Sequence, residues 1–271
     1  MAINDINLSG GMRGNLIQLQ MTAALQGRTT TRLATGKRVN SAVDDAAAYF
    51  AAQNHTNRAQ DLAARKDTMG EAIQTVKASL KGIEAITKIV EQMKGLAASA
   101  RSASTADRAT LATQFDALRT QIDNLATDSG YKGTNFLDGD DLTVEFNEDG
   151  SSALTISGFD ATVAGDLAID AAANSWAADA DVDGAVSDLD AALTELRTQA
   201  KTLSSSNGVV TTRQEFTTEM INTLTEGADM LTAADSNEEG ANMLALQTRQ
   251  QLGVVALQLS SQAQQSVLRL F

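Results

Sequence analysis

The residues best spaced for chemistry are four aspartates, Asp179, Asp181, Asp183 and Asp190, with Gly184 between the last two. Acids at loop positions one, three, five and twelve, with glycine at six, form the arrangement that presents hard oxygens to calcium in an EF-hand. Asp190 is one methylene shorter than the customary glutamate at the twelfth position. Asp and Gly are also ordinary residues just ahead of a helix. Capping and solvation are therefore the first expectation for these acids, and calcium binding the rival one. His55 is the only histidine and there is no cysteine, so paired-imidazole and thiolate metal sites are excluded. His55 sits in a polar run, Gln53-Asn54-His55-Thr56-Asn57, and reads as a solvated helix residue. The sequence holds no glycine-rich phosphate loop and no nucleophile elbow. The expectation is a chain that is not an enzyme and needs no cofactor.

Charge is distributed unevenly along the elements that would carry these acids. Residues 133–196 contain no Lys or Arg and fifteen Asp or Glu, while the rest of the chain holds 19 acids against 21 bases. Residues 241–271 carry only Arg249 and Arg269, and residues 1–27 only Asp5 and Arg13. Segments that avoid charge seek a partner, and a segment of one sign seeks water. A net charge of −13 argues against a nucleic-acid partner. No window approaches the length of uninterrupted apolar sequence that a membrane span requires. The opening Met1-Ala2-Ile3-Asn4-Asp5 does not read as a cleavable signal peptide.

Composition favours long helices. Proline is absent from the 271 residues, aromatics are 4 %, and Trp176 is the only tryptophan. Periodicity predicts a first helix over 12–34, with Met12, Leu16, Leu19, Ala23 and Leu25 on or near one face, stopped at Thr35-Gly36. A second helix from 44 to about 100 repeats every seven residues at Met69, Val76, Ile83, Val90 and Ala97. A third is predicted over 106–128, striped by Leu111, Phe115, Leu118, Ile122 and Leu125. The period then changes to two, and a β-hairpin is predicted around Leu142, Val144 and Phe146 with a return strand Ala153-Leu154-Thr155-Ile156. Residues 160–183 show no period and read as a short, exposed, acidic, variable segment. Helix resumes by about Asp183 with the heptad series Leu189, Leu196, Leu203, Val210, Leu224 and Leu231, broken by Thr217. A last helix over about 237–267 carries Leu244, Leu252, Val255, Leu259, Ala263 and Val267. Two long heptad segments, one from each half, are natural antiparallel partners. The fold class is mainly α: long antiparallel coiled-coil-like helices from both termini, a small β-hairpin and a short variable middle.

Four stretches carry a family resemblance. Arg32-Leu33-Ala34-Thr35-Gly36-Lys37-Arg38-Val39-Asn40-Ser41-Ala42-Val43-Asp44-Asp45-Ala46-Ala47 resembles the N-terminal signature of bacterial flagellins. Gly133-Thr134-Asn135-Phe136-Leu137 resembles that family's lead into its hairpin. Ala245-Leu246-Gln247-Thr248-Arg249-Gln250-Gln251-Leu252-Gly253 and the closing Val267-Leu268-Arg269-Leu270-Phe271 resemble its C-terminal helix. Gln264 stands where many members carry proline. The resemblance implies a structural subunit that polymerises into the flagellar filament for swimming, a homopolymer found outside the cell. It also implies an export chaperone and a filament cap as partners, and export without signal-peptide cleavage.

On this basis 1–43 with 235–271 are expected to form the inner core of the filament. Segments 44–159 and 184–234 would form the helical rod with its hairpin, and 160–183 the exposed acidic part. Leu16, Leu19, Leu33, Leu252, Val255, Leu259 and Val267 are the residues expected between copies. Two other readings are a hook–filament junction protein of the same family and a calcium-binding surface protein.

Overall fold

The computed structural model describes residues 10–268, apart from the side chains at positions 264, 267 and 268. Five helices and one hairpin follow in order: α1 (Gly10–Thr35), α2 (Ala46–Ala100), α3 (Thr105–Asp128), β1 (Leu142–Glu145), β2 (Ala153–Ile156), α4 (Asp179–Thr232) and α5 (Ser236–Leu268). The chain divides into two compact units, one of residues 1–57 with 223–271 and one of residues 58–222. The divisions fall inside α2 and α4. Both helices run through them without a break, so no loop in the sequence marks the boundary.

Local chemistry ends the helices where the sequence leads one to expect. Gly36 takes φ +67°, the left-handed conformation that closes α1. Asp45 is the cap of α2, its Oδ1 accepting from the Ala48 amide at 3.1 Å. Ser104 caps α3 by accepting from the Asp107 amide at 3.3 Å, while its hydroxyl donates to the Asp107 carboxylate at 2.7 Å. Asp235 caps α5 through the amides of Asn237 and Glu238. These bonds satisfy amides that would otherwise lack a partner at each helix start.

In the 58–222 unit the heptads of α2 and α4 meet in antiparallel register. Gln214 donates to the Lys66 carbonyl, and Lys94 meets Asp190 nearer the other end. Met69, Val76, Ile83, Val90 and Ala97 of α2 are buried with Leu189, Leu196, Leu203 and Val210 of α4. Phe115 and Ile122 of α3 join the same core, as do Val144 of β1 and Ile156 of β2. The hairpin is antiparallel, with Leu142 opposite Ile156 and Val144 opposite Leu154. Thr143 and Thr155 pair hydroxyls across its outer face at 3.0 Å. The side-chain period of two thus turns one face inward and leaves the threonines in water.

The expectation for 160–183 needs correction. Its acids do face outward, but Ala161, Val163, Leu167, Ile169, Trp176 and Val182 are buried in the core. Helix α3 holds this irregular stretch through one polar face. Asp123 accepts from the Val163 amide at 2.9 Å, Arg119 donates to the Ile169 carbonyl at 2.9 Å, and Asp116 accepts from the Ala172 amide at 3.1 Å. Positions 116, 119 and 123 recur at helical spacing, so one face of α3 stands in for a neighbouring strand. Trp176 then packs edge-on against Phe115 with ring centres 5.0 Å apart.

In the unit of the two chain ends, α1 packs on α5. The turn after α1 docks against the turn before α5. The amides of Arg38 and Val39 donate to the Thr232 carbonyl, and the Ala234 amide donates to the Gly36 carbonyl. Val39, Ala52, Leu224 and Ala228 are buried around that junction.

Candidate assembly surface

The four aspartates of the calcium pattern are not gathered into a site. Helix α4 begins at Asp179, so the stretch that would have to loop around an ion is regular helix. Its acids point to separate partners. Asp179 pairs with Arg108 at 2.6 Å, Asp183 with Arg101, and Asp190 with Lys94 at 2.5 Å. Asp181 turns back to the helix start and accepts from the Ala178 amide at 3.1 Å. Among the described residues no cluster of three or more acids or histidines could hold a metal ion. Capping and ion pairing near the helix start engage all four of these side chains.

What the structure does assemble is an apolar surface on both helices of the chain ends. On α1 the residues turned toward α5 include Thr22 and Thr29, both buried, while Leu16, Ile17, Met21, Leu25 and Leu33 stay exposed. On α5 the buried residues among those described are Glu239 and Leu246, while Leu244, Leu252, Val254, Val255 and Leu259 are exposed, Leu259 to 68 %. Of the residues expected between copies, Leu16, Leu33, Leu252, Val255 and Leu259 therefore lie open in the single chain. Leu19 is half-buried because it sits over Gly253, where an added Cβ would come within 2.7 Å of its Cδ2. Val267 lies in α5, but its side chain is outside the described residues. A cavity of about 290 Å³ beside Leu19, lined by Gln18, Thr22, Arg249, Leu252 and Ala256, adds relief to the same surface.

One ion pair joins the two helices, and one buried threonine faces their seam. Arg32 of α1 donates to Glu239 of α5 at 2.8 Å, and the Glu239 side chain is only 8 % exposed. Thr22 satisfies its own hydroxyl on the Gln18 carbonyl at 2.8 Å, which lets a polar residue face α5 without an orphaned donor. Periodicity reveals neither device. A lone Arg and a Glu 207 residues apart carry no pattern, and only the antiparallel packing brings them together.

No described helix is long and apolar enough to cross a membrane. The exposed aliphatic side chains lie mostly in stretches 14–27 and 250–263, which carry no charge, and patches of this kind are common at interaction surfaces.

This chain is similar to several flagellins. The family model described as the bacterial flagellin N-terminal helical region matches residues 12–141. The flagellin FljM of Caulobacter vibrioides is 33 % identical over 281 aligned positions that span 100 % of both chains. A flagellin of Brucella melitensis is 28 % identical over 90 % of each. A solved Bacillus cereus flagellin overlaps 55 % of this chain and 88 % of its own at TM-score 0.48 and 17 % identity, too partial a likeness to add to the sequence relationship. With full-length identity of this order to several flagellins, the chain belongs to the bacterial flagellin family and is a structural subunit of the flagellar filament.

Proposed function

We propose that α1 and α5 form the inner contacts of the polymer, that the 58–222 unit surrounds them, and that neighbouring copies cover Leu16, Leu33, Leu252, Val255 and Leu259. The observation that carries this reading is the exposure of those side chains, all but Leu33 within stretches 14–27 and 250–263 that carry no charge. Burial of about 25 cal/mol per Å² means that a few hundred Å² of apolar contact per neighbour contributes several kcal/mol before association entropy is charged against it. The role is mechanical rather than catalytic.

The test is a truncation. A chain ending before Asn237 keeps the 58–222 core intact, with its helicity and the buried environment of Trp176, but forms no filaments by electron microscopy. Filaments of normal appearance from that chain overturn the assignment of α5 to the inner contacts. Passage out of the cell by the flagellar export route, with a chaperone and a filament cap as partners, belongs to the same reading. It is supported by family membership and by a cysteine-free chain that can travel unfolded without disulfide rearrangement.

A further inference from the structure

Two features of the chain lie outside the surface just described. The first is Val43, which stands 95 % exposed between α1 and α2. An exposed valine is ordinary on a loose loop, but this turn is tightly bonded. Asp44 Oδ2 accepts from the Asn40 amide, the Ser41 amide and the Ser41 hydroxyl, each at 3.1 Å, and the Asp44 amide donates to the Ser41 carbonyl at 3.0 Å. The donors around Asp44 hold its carboxyl below the ordinary aspartate range, so it is ionised whenever the protein is near neutral pH. The turn thus presents one isopropyl group beside two carboxylates, Asp44 and Asp45.

The second feature is a cavity of about 170 Å³ in the 58–222 unit, where the end of β1 meets α2 and α4. Leu62, Phe146, Phe216 and Met220 give it apolar walls, and Arg58 and Arg213 stand at its edge. Arg58 is committed to Glu148. Arg213 lies 5.2 Å above the Phe146 ring and has no carboxylate partner among the described residues. Phe216 leaves 56 % of its surface in water at the rim.

We propose that the Val43–Asp44 turn of one copy docks into this cavity of a second copy, with Val43 against Phe146, Phe216 and Met220 and the Asp44 carboxylate facing Arg213. Shape and charge agree: an apolar tip with adjacent acids meets an apolar pocket with a free guanidinium at its edge. The occupant is a copy of the same chain because each copy brings both the acidic tip and the cavity, and the chain is a filament subunit. Used head to tail, the contact leaves one free tip and one free cavity after each addition, as an open polymer requires. The proposal rests on the filament reading and adds to it a contact that does not involve α1 or α5 side chains.

The natural absence of cysteine makes the contact testable in the full-length chain. Val43→Cys and Phe216→Cys are introduced together, filaments are assembled, and a short bis-maleimide linker is added. The expected result is a ladder of covalent multimers on a denaturing gel, lost when Val209→Cys, also exposed on α4, replaces the Phe216 change. Filaments visible by microscopy that give no ladder overturn the docking while leaving the filament reading intact, whereas failure of the unmodified chain to polymerise counts against that reading itself.

A double-mutant cycle with Val43→Ala and Phe216→Ala covers the case in which the cysteine pair blocks growth. Each single change should raise the critical concentration about tenfold, and the pair should cost little more than either one. Fully additive effects overturn the contact.

Discussion

Arg32 of α1 and Glu239 of α5 form an ion pair in which only one carboxylate oxygen is used. Arg32 Nη1 lies 2.8 Å from Glu239 Oε1, while Glu239 Oε2 is buried without a hydrogen-bond partner. Removing the arginine would leave a buried carboxylate with nothing to neutralise it, the costliest way to break such a pair. Arg32→Ala should therefore destabilise the packing of α1 on α5 by about 3 kcal/mol, and Glu239→Gln by clearly less. Hydrogen exchange of α1 amides measures the difference. Equal effects from the two changes would mean that the charge is not the controlling element.

Two glycines permit close approaches that a methyl group would block. A Cβ at Gly82 of α2 would come within 2.3 Å of Ser129 Oγ and 2.5 Å of Leu137 Cδ1, and Leu137 is fully buried. A Cβ at Gly158 would meet the Asp140 carbonyl oxygen at 2.4 Å and that of Phe136 at 2.8 Å. Side chains can give a little; a hydrogen-bonded backbone gives less. Gly82→Ala should cost about 1–3 kcal/mol, with Gly158→Ala at the upper end or beyond. Urea unfolding followed by Trp176 fluorescence reads both.

Core and assembly residues should separate cleanly. Leu203 is 1 % exposed in the α2–α4 seam, so Leu203→Ala should cost about 2–5 kcal/mol in the 58–222 unit. Leu252→Ser alters a side chain already in water and should change monomer stability by no more than about 0.5 kcal/mol. It should nevertheless raise the concentration needed for filament growth. Thermal melts of the monomer, set beside sedimentation of polymer, distinguish the two classes.

Acid should weaken one exposed cluster on α2. Lys81 at 2.8 Å, then Lys88 at 3.1 Å, donate to Glu84 and bring its carboxyl from 4.5 down to about 2. A carboxyl whose folded value lies below its unfolded one contributes fully above the unfolded value. That contribution fades as pH falls from 4.5 toward 2. Titration of the Glu84 side chain by NMR should show a midpoint near 2, and Lys81→Gln should move it upward. A midpoint unchanged by that substitution would refute the assignment of cause.

Calcium should leave the chain unaltered. Asp179, Asp183 and Asp190 already face Arg108, Arg101 and Lys94. Calorimetric titration with millimolar calcium should give no saturable heat. A stoichiometric heat that disappears in Asp183→Asn would restore the metal reading.

Much of the molecule was decided by pattern that any reader of the sequence can follow. The seven-residue series from Met69 to Ala97 and from Leu189 to Val210 required two buried stripes, because apolar residues repeating at that spacing fall on one side of a helix. The alternation around Val144 required a strand with one inward face, and the sparse charge near both ends required a partner for those ends. Tertiary structure alone decided what periodicity does not encode. Residues 160–178 lack a repeat, so their burial depended on Asp116, Arg119 and Asp123 of α3 lying where their backbone groups needed partners. The aspartates from 179 to 190 match a calcium loop in spacing, yet spacing cannot reveal that the segment is helical and that cations from α2, α3 and the turn between them stand opposite. The stripe on α1 predicted an apolar face, but only packing revealed that Thr22 and Leu19 turn toward α5 while Leu16, Leu25 and Leu33 stay in solvent. Local spacing sets which side chains share a face; what lies across from that face is a property of the folded chain.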